Sequence, residues 1–391
     1  MRRSVLSLVL ACTAMTAQAQ VPCGGSFSQF VNGLVAEAQR NGHSRSTARA
    51  FFNGVQQDAK VLRADRAQGI FQSGFIDFSR KLINSYRLDL GRKKAAQYDR
   101  VFDRIERQYG VSRGVLLAFW AFETDYGGYQ GNFNTRDALV TLAHDCRRPE
   151  LFRPQVLAAL ELYARGEFNP TRTTGAWAGE IGMVQMLPAD IIENGVDGDG
   201  DGQVSLKTSA PDALMSGGKM LQSLGWAAGQ PWLQEVSLPR DFNWASTGLA
   251  TTRDARAWAR AGVTPRSGAF LNERLPASII IPQGHKGPAF IAYPNFSVLF
   301  EWNQSFTYVL TAAYFATRLE GAPVYRAGSP DAGLSADQMK RLQRRLQARG
   351  HDVGKLDGIL GAKTREAVRV EQQRLGFAVD AWPTPALLSR L

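Results

Sequence analysis

The sequence predicts a mainly α-helical protein with a small β-containing insertion and a small, separate helical unit at its C-terminus. Three observations predict it. Apolar residues recur at helical spacing through most of the stretch from Phe27 to about Leu224. Between Pro239 and Pro294 that pattern gives way to short β-rich runs punctuated by Pro282, Gly284, Gly287 and Pro288. The turn-rich run Glu320 to Gly333 then separates a last stretch in which helical spacing returns. A chain of 391 residues has room for two or three domains on this plan.

The N-terminus reads as an export signal. Arg2 and Arg3 precede an apolar stretch from Val5, and Ala17-Gln18-Ala19 fits a cleavage site before Gln20, so residues 1–19 are assigned to a signal peptide and the mature protein to the periplasm. A competing reading takes Val9-Leu10-Ala11-Cys12 as a lipoprotein box, which would anchor the chain to a membrane, but it leaves a very short apolar region. No later segment is apolar enough to span a bilayer. Cleavage leaves Cys23 and Cys146, and two cysteines in an exported chain point to one disulfide. The formal charge of +11 favours an anionic partner such as a cell-wall polymer or anionic lipid. Nucleic acid is excluded for a protein outside the cytoplasm.

Amphipathic stretches predict helices near Phe27 to Gln39, Phe75 to Tyr86, Ala95 to Tyr109 and Pro154 to Arg165. The run Leu117 to Gly128, LAFWAFETDYGG, places one acidic residue, Glu123, on an apolar helix expected to stop at Gly127 and Gly128. Helical spacing puts Glu123 on a face with Phe119 and Trp120 one turn back and Tyr126 and Gly127 one turn ahead. Desolvation by those rings and the negative end of the helix dipole would both keep the carboxyl protonated near neutral pH, the state a general acid needs. Asp125, two residues along, points to another face. Further on, Ser278 to Ile281 and Ala289 to Tyr293 read as strands of a small sheet or hairpin, and Ser305 to Leu319 as the last helix of the large domain, residues 20–322. Residues 323–333 read as a linker. In the unit 334–391, Leu342 and Leu346 share a helix face, a turn spans Gly354 to Gly358, and a second helix runs from about Ala362 through Leu375.

Other constellations carry chemistry. Ala178 to Pro188, AGEIGMVQMLP, has glycines that allow close backbone approach and Gln185, whose amide can both donate to and accept from a sugar; plain helix packing fits the spacing equally well. Val196 to Leu206, VDGDGDGQVSL, matches the opening of an EF-hand loop, with Asp197, Asp199 and Asp201 as oxygen ligands and Gln203 supplying a backbone carbonyl. Thr208 stands where the closing glutamate belongs, so Asp212 is the nearest replacement; the alternative is an Asp/Gly-rich turn needing no metal. Arg147 and Arg148 could pair with substrate carboxylates, or could simply be solvated. Trp302-Asn303 with Tyr308 one turn on suits sugar stacking and hydrogen bonding, as core packing also would. His144, His285 and His351 are too scattered for a metal site, and neither a phosphate loop nor a Gly-x-Ser-x-Gly elbow occurs.

Taken together, FWAFETDYG, the stretch Asp137 to Leu142, AGEIGMVQMLP, DGDGDG and the NFSVLFEWNQS run from Asn295 resemble the lytic murein transglycosylase B family over roughly Phe27 to Leu319. The tail, RLQRRLQARGHDVGKLDGILGAKTREAV, resembles the three-helix peptidoglycan-binding domain of cell-wall enzymes. The resemblance implies a lysozyme-like fold in which Glu123 is the single acid/base. It would cut the β-1,4 bond between N-acetylmuramic acid and N-acetylglucosamine with ring closure to a 1,6-anhydro product, and no cofactor is required. It further implies that Gln185, Asn303, Trp302 and Tyr308 line saccharide subsites, that Arg147 and Arg148 meet the stem peptide, and that the Asp197 to Asp212 loop holds a structural Ca2+ or Na+. Three departures stand out: Ala176 where the family often has serine, Met220 where a tyrosine is expected, and a metal loop one residue longer before Asp212. Rival readings are a hydrolytic muramidase using the same glutamate, a non-catalytic wall-binding protein and, from the single imperfect loop, a calcium sensor.

Overall fold

The computed structural model describes residues 21–67 and 73–391, so the signal peptide assigned to residues 1–19 and the alternative lipidation site Cys12 lie outside the described residues. Seventeen α-helices dominate the described residues, with two small antiparallel sheets. No helix among them is long and apolar enough to cross a membrane.

Two apolar cores build the helical part. One gathers the helices Phe27–Arg40, Arg45–Phe52, Thr135–His144 and Pro149–Ala164 around Leu34, Phe51, Leu139, Phe152 and Leu160. The other gathers Asp99–Tyr109, Arg113–Thr124, Pro294–Trp302 and Phe306–Leu319 around Phe102, Leu116, Phe119, Phe296 and Phe315. The disulfide Cys23–Cys146 ties the N-terminal segment to the end of the Thr135–His144 helix, as expected.

Some expected helices differ in their bounds. The stretch expected as one helix from Phe75 to Tyr86 divides into Phe75–Leu82 and Ser85–Gln97, because the Asn84 side chain accepts from Arg87 N at 2.9 Å and starts a new helix. The stretch from Ala95 to Tyr109 belongs to two helices that meet at Tyr98, with no side-chain cap there. The Pro154 helix begins five residues earlier than expected, at Pro149, where proline suits the first helical position.

The insertion is a five-stranded antiparallel sheet in the order Arg253–Asp254, Pro276–Ile280, Ala289–Ala292, Leu233–Ser237, Thr264–Pro265. Only its two central strands were legible from composition. It has its own core, with Trp258, Ile279 and Ile291 fully buried.

The C-terminal unit comprises Ala336–Ala348, Ala362–Leu375 and Pro385–Arg390 around Leu342, Leu346, Val368 and Leu387. Residues 323–333 are no free tether. Tyr325 is buried against Tyr314 and Phe75, and Ser329 N donates to Lys286 O at 2.9 Å. From the C-terminal unit, Asp380 holds His285 at 2.6 Å and the Arg365 guanidinium sits 5.0 Å over the Phe306 ring.

Candidate active site

The helix Arg113–Thr124 that carries Glu123 is held at both ends. At its start Ser112 caps Gly114 N, and the Glu320 carboxyl accepts from Ser112 Oγ and, at 3.2 Å, from Gly114 N. At its end Asp125 and Tyr126 adopt left-handed backbone, φ 52° and 60°. Their N–H groups return to Ala121 O and Trp120 O, so the helix stops at Thr124, before the glycines expected to end it.

That early stop changes the expected aromatic surroundings. Tyr126 leaves the helix and packs edge-on against Trp120, ring centroids 5.6 Å apart, and its hydroxyl donates to Arg87 O at 2.8 Å. Trp120 also faces Tyr98 and Lys94. Neither residue is a hydrogen-bond partner of Glu123. Its wall is built instead by Phe119, stacked on Trp302 with centroids 4.3 Å apart, and by Tyr308 beyond. Asp125 is engaged by Arg87 Nε at 2.9 Å.

Glu123 itself is pinned through one oxygen. Trp302 Nε1 donates to Oε1 at 3.2 Å, and the Tyr308 hydroxyl donates to the same atom. Both donors come from the far side of the chain, delivered by Trp302 at the end of Pro294–Trp302 and by Tyr308 in the first turn of Phe306–Leu319. Protein crowds the carboxyl, and the residue as a whole is only partly buried. Burial pushes it up to about 7; the two hydrogen bonds oppose that rise, and the charge of Glu180 adds to it. Burial and the neighbouring Glu123 carboxylate hold the Tyr308 phenol well above its ordinary range, so it stays a donor.

The glycine-rich segment forms a tight loop rather than a helix. Ile181 and Met186 exchange backbone hydrogen bonds at 2.8 and 3.1 Å, and Gln185 sits between them in left-handed backbone, φ 54°. Thr124 Oγ1 donates to Met183 O at 2.6 Å, which fastens this loop to the residue after Glu123. The Gln185 amide nitrogen donates within the loop to Gly182 O at 2.6 Å. Asn303 accepts from Ser305 N at 2.9 Å and shapes the turn into the Tyr308 helix. Ala176 opens the loop, and Met220 packs with the first core.

Arg147 and Arg148 are not simply solvated. Both grip the fully buried carboxylate of Asp65, and Arg148 also lies 4.9 Å over the Phe152 ring. Of the expected metal ligands, Asp197, Asp199 and Asp212 bring carboxylate oxygens within 4.8 Å of one another. Asp201 is not in that group and turns back to accept from Gln203 N at 2.8 Å. Asp212 is buried and accepts from Gly198 N and Ser205 N at 2.8 and 2.7 Å, so it orders the loop from its centre. A cavity of about 1080 Å3 bounded by Arg113, Trp232, Glu235 and Glu320 shares no lining residue with the Glu123 site.

Residues 26–317 match the family described as transglycosylase SLT domain. The chain belongs to that family. Residues 335–391 match the putative peptidoglycan binding domain. Among relatives of this transglycosylase SLT chain, membrane-bound lytic murein transglycosylase B of Escherichia coli (strain K12) is 24% identical over 309 residues, 73% of this chain and 82% of that protein. SltB3 from Pseudomonas aeruginosa, solved in complex with NAG-anhNAM-pentapeptide, is 36% identical with a TM-score of 0.86, covering 94% of this chain and 99% of that one. The lytic transglycosylase Slt35 of Escherichia coli, solved in complex with bulgecin A, shares the fold at 22% identity, TM-score 0.64, covering 78% and 97% of the two chains.

Two contributors escaped the sequence reading. Phe119 was expected beside Glu123 but not as the platform on which Trp302 stacks, and Glu180 was read as one letter of a glycine-rich motif. A carboxylate inside an otherwise apolar, glycine-flanked segment was the available signal.

Proposed function

We propose that this chain is a lytic murein transglycosylase of the periplasm, cleaving the β-1,4 bond between N-acetylmuramic acid and N-acetylglucosamine with Glu123 as its only acid/base. The observation that carries the reading is the setting of Glu123: one oxygen is pinned by Tyr308 and Trp302, in surroundings whose burial pushes the carboxyl up to about 7. The pinned Oε1 fixes the plane of the carboxyl, and Oε2 is the atom that presents the proton to the leaving glycosidic oxygen. The resulting carboxylate then takes the proton of the muramoyl C6 hydroxyl as that oxygen bonds to C1. The substrate supplies the nucleophile, so the carboxylate pair that glycosidases use is not needed. Tyr308 and Trp302 stay as donors throughout and stabilise the charge on Glu123 when it forms.

Family membership, the C-terminal wall-binding match and a relative solved with an anhydro-muramoyl ligand support this reading. Glycan strands and their stem peptides are the partners. Gln185 and Asn303 line the saccharide path, and Arg147 with Arg148, anchored by Asp65, present cationic edges to stem-peptide carboxylates. The Asp197, Asp199 and Asp212 carboxylates suit a hard cation, calcium or sodium, whose role would be to fix the loop. The test is Glu123→Gln assayed on purified sacculi: the variant should bind them and release nothing. Appreciable release by a folded variant would remove Glu123 from its role.

A further inference from the structure

We propose that Arg365, from the C-terminal unit, is a positioning residue for this reaction: through the Phe306 ring it holds the helix start that presents Tyr308 to Glu123. The proposal rests on Glu123 being the acid. Both donors to Glu123 flank one short connection. Trp302 ends the helix Pro294–Trp302, residues 303–305 follow, and Phe306 begins the helix in which Tyr308 is the third residue. Within the connection Gln304 Nε2 donates to Phe300 O at 2.5 Å, Ser305 N to Asn303 Oδ1 at 2.9 Å, and Tyr308 N to Ser305 Oγ at 3.4 Å. The last exceeds the usual N–H···O range, so the cap alone holds this turn weakly.

Part of what packs against Phe306 comes from the C-terminal unit. The Arg365 guanidinium lies 5.0 Å from the ring centroid, its Nη2 donates to Pro282 O at 3.0 Å, and its Nε is buried without a hydrogen-bond partner. An unmet buried N–H costs stability, and the attraction of the cation to the ring face offsets part of that cost. Phe300 also stacks on Phe306, with centroids 6.4 Å apart. Between this turn and the C-terminal unit lies a cavity of about 830 Å3, bounded by Phe300, Ser305, Phe306, Leu360, Arg365 and Trp382. The guanidinium therefore meets the ring beside open space rather than within continuous packing.

A brace needs a fixed base, and the β-insertion supplies it. Asp380 accepts from His285 N at 3.1 Å and meets its ring Nδ1 at 2.6 Å, while Arg369, one turn after Arg365, donates to Trp244 O at 3.4 Å and Thr247 Oγ1 at 3.3 Å. An added Cβ at Gly284 would lie 2.7 Å from Asp380 Oδ2 and 2.9 Å from Trp382 Cβ, so only glycine, here at φ 78°, allows this approach. The unit that matches a peptidoglycan-binding domain is thus docked on the insertion, and Arg365 extends from it to the helix of Tyr308. Arg365 touches Phe306, Phe306 starts the turn of Tyr308, and Tyr308 donates to Glu123.

The test is kcat and KM on short soluble glycan fragments across pH for Arg365→Ala, alone and combined with Tyr308→Phe. Sacculus binding is measured beside them, with a thermal melt as the check on folding. Arg365→Ala alone should lower kcat about threefold to tenfold with KM little changed and sacculus binding retained. Its alkaline limb should move to higher pH, because the Tyr308 hydrogen bond that it loosens favours the charged form of Glu123. In the Tyr308→Phe background it should add almost nothing, since the hydroxyl it positions is gone. Full additivity of the two changes, an unmoved limb, or lost sacculus binding with kcat intact would overturn the proposal. If Arg365→Ala does not fold, Phe306→Leu removes the other half of the contact and should show the same non-additivity with Tyr308→Phe; additivity there refutes the idea equally. Glu123→Gln separates the two claims. If it is inactive while Arg365→Ala and Tyr308→Phe add in full, only the role of Arg365 fails; if it is active, the acid assignment fails.

Discussion

Replacing Glu123 by glutamine should make the protein more stable at alkaline pH while abolishing activity. The carboxyl is pushed from its ordinary 4.5 up to about 7, chiefly by burial. A raised value means that the folded state holds the proton more tightly than the unfolded chain does. The stabilisation is therefore complete below about pH 4.5 and is lost as the pH rises through about 7. Above that, the folded protein must keep a charge where water is scarce, at a cost of about 3 kcal/mol relative to the low-pH state. Glutamine carries no such charge, yet its amide oxygen can still accept from Trp302 and Tyr308. Thermal melts of the two proteins at a series of pH values should coincide, apart from a constant offset, near pH 4. They should separate by several degrees in favour of the variant near pH 9. A difference that stays flat with pH, or that turns against glutamine on the alkaline side, would refute the claim that burial holds this carboxyl neutral.

Four further expectations follow from the same geometry. Tyr308→Phe removes a donor whose hydrogen bond favours the charged form of Glu123, so the alkaline limb of activity should move upward in pH while kcat falls roughly tenfold to a hundredfold, as expected for losing about 1.5–3 kcal/mol of hydrogen bonding to a carboxyl. Reduction of the Cys23–Cys146 disulfide, which closes a sequence separation of 123 residues, should lower stability by up to about 4–5 kcal/mol, read by denaturant titration with and without reductant. Calcium should raise the melting temperature of the intact protein and leave that of Asp199→Asn unmoved; an equal response of both would take the Asp197–Asp212 loop out of cation binding. Deleting residues 334–391 should weaken binding to sacculi more than it slows cutting of short soluble fragments, and equal losses would show that the C-terminal unit is part of the catalytic machinery.

The readable part of the fold was the part set by local pattern. The Phe27–Arg40 and Phe306–Leu319 helices ended within a residue of their expected bounds, because apolar spacing is clear in both and Ser305 caps the second. The Phe75 region was misread as one helix because its apolar pattern hides a cap, and Asn84 decides the break through one hydrogen bond. Short strands such as Arg253–Asp254 carry too few residues to show a period of two. Within the site, Glu123 stood out by its apolar setting and Trp302 and Tyr308 by their aromatic character, and the structure brings those three together, whereas Asn303 accepts from Ser305 N in a turn. What was not legible was contact between residues far apart in sequence. Spacing alone assigned Trp120 and Tyr126 to the wall around Glu123, whereas tertiary packing supplies Trp302 and Tyr308, 179 and 185 residues away. The pairing of Arg147 and Arg148 with Asp65 was hidden for the same reason, since Asp65 lies on the Ala59–Arg66 helix.

The most direct measurement is to digest purified sacculi in heavy-oxygen water and weigh the released muropeptides. Intramolecular capture by the muramoyl C6 hydroxyl predicts products with anhydro ends that carry no solvent oxygen. Products heavier by one water and labelled at the reducing end would contradict it.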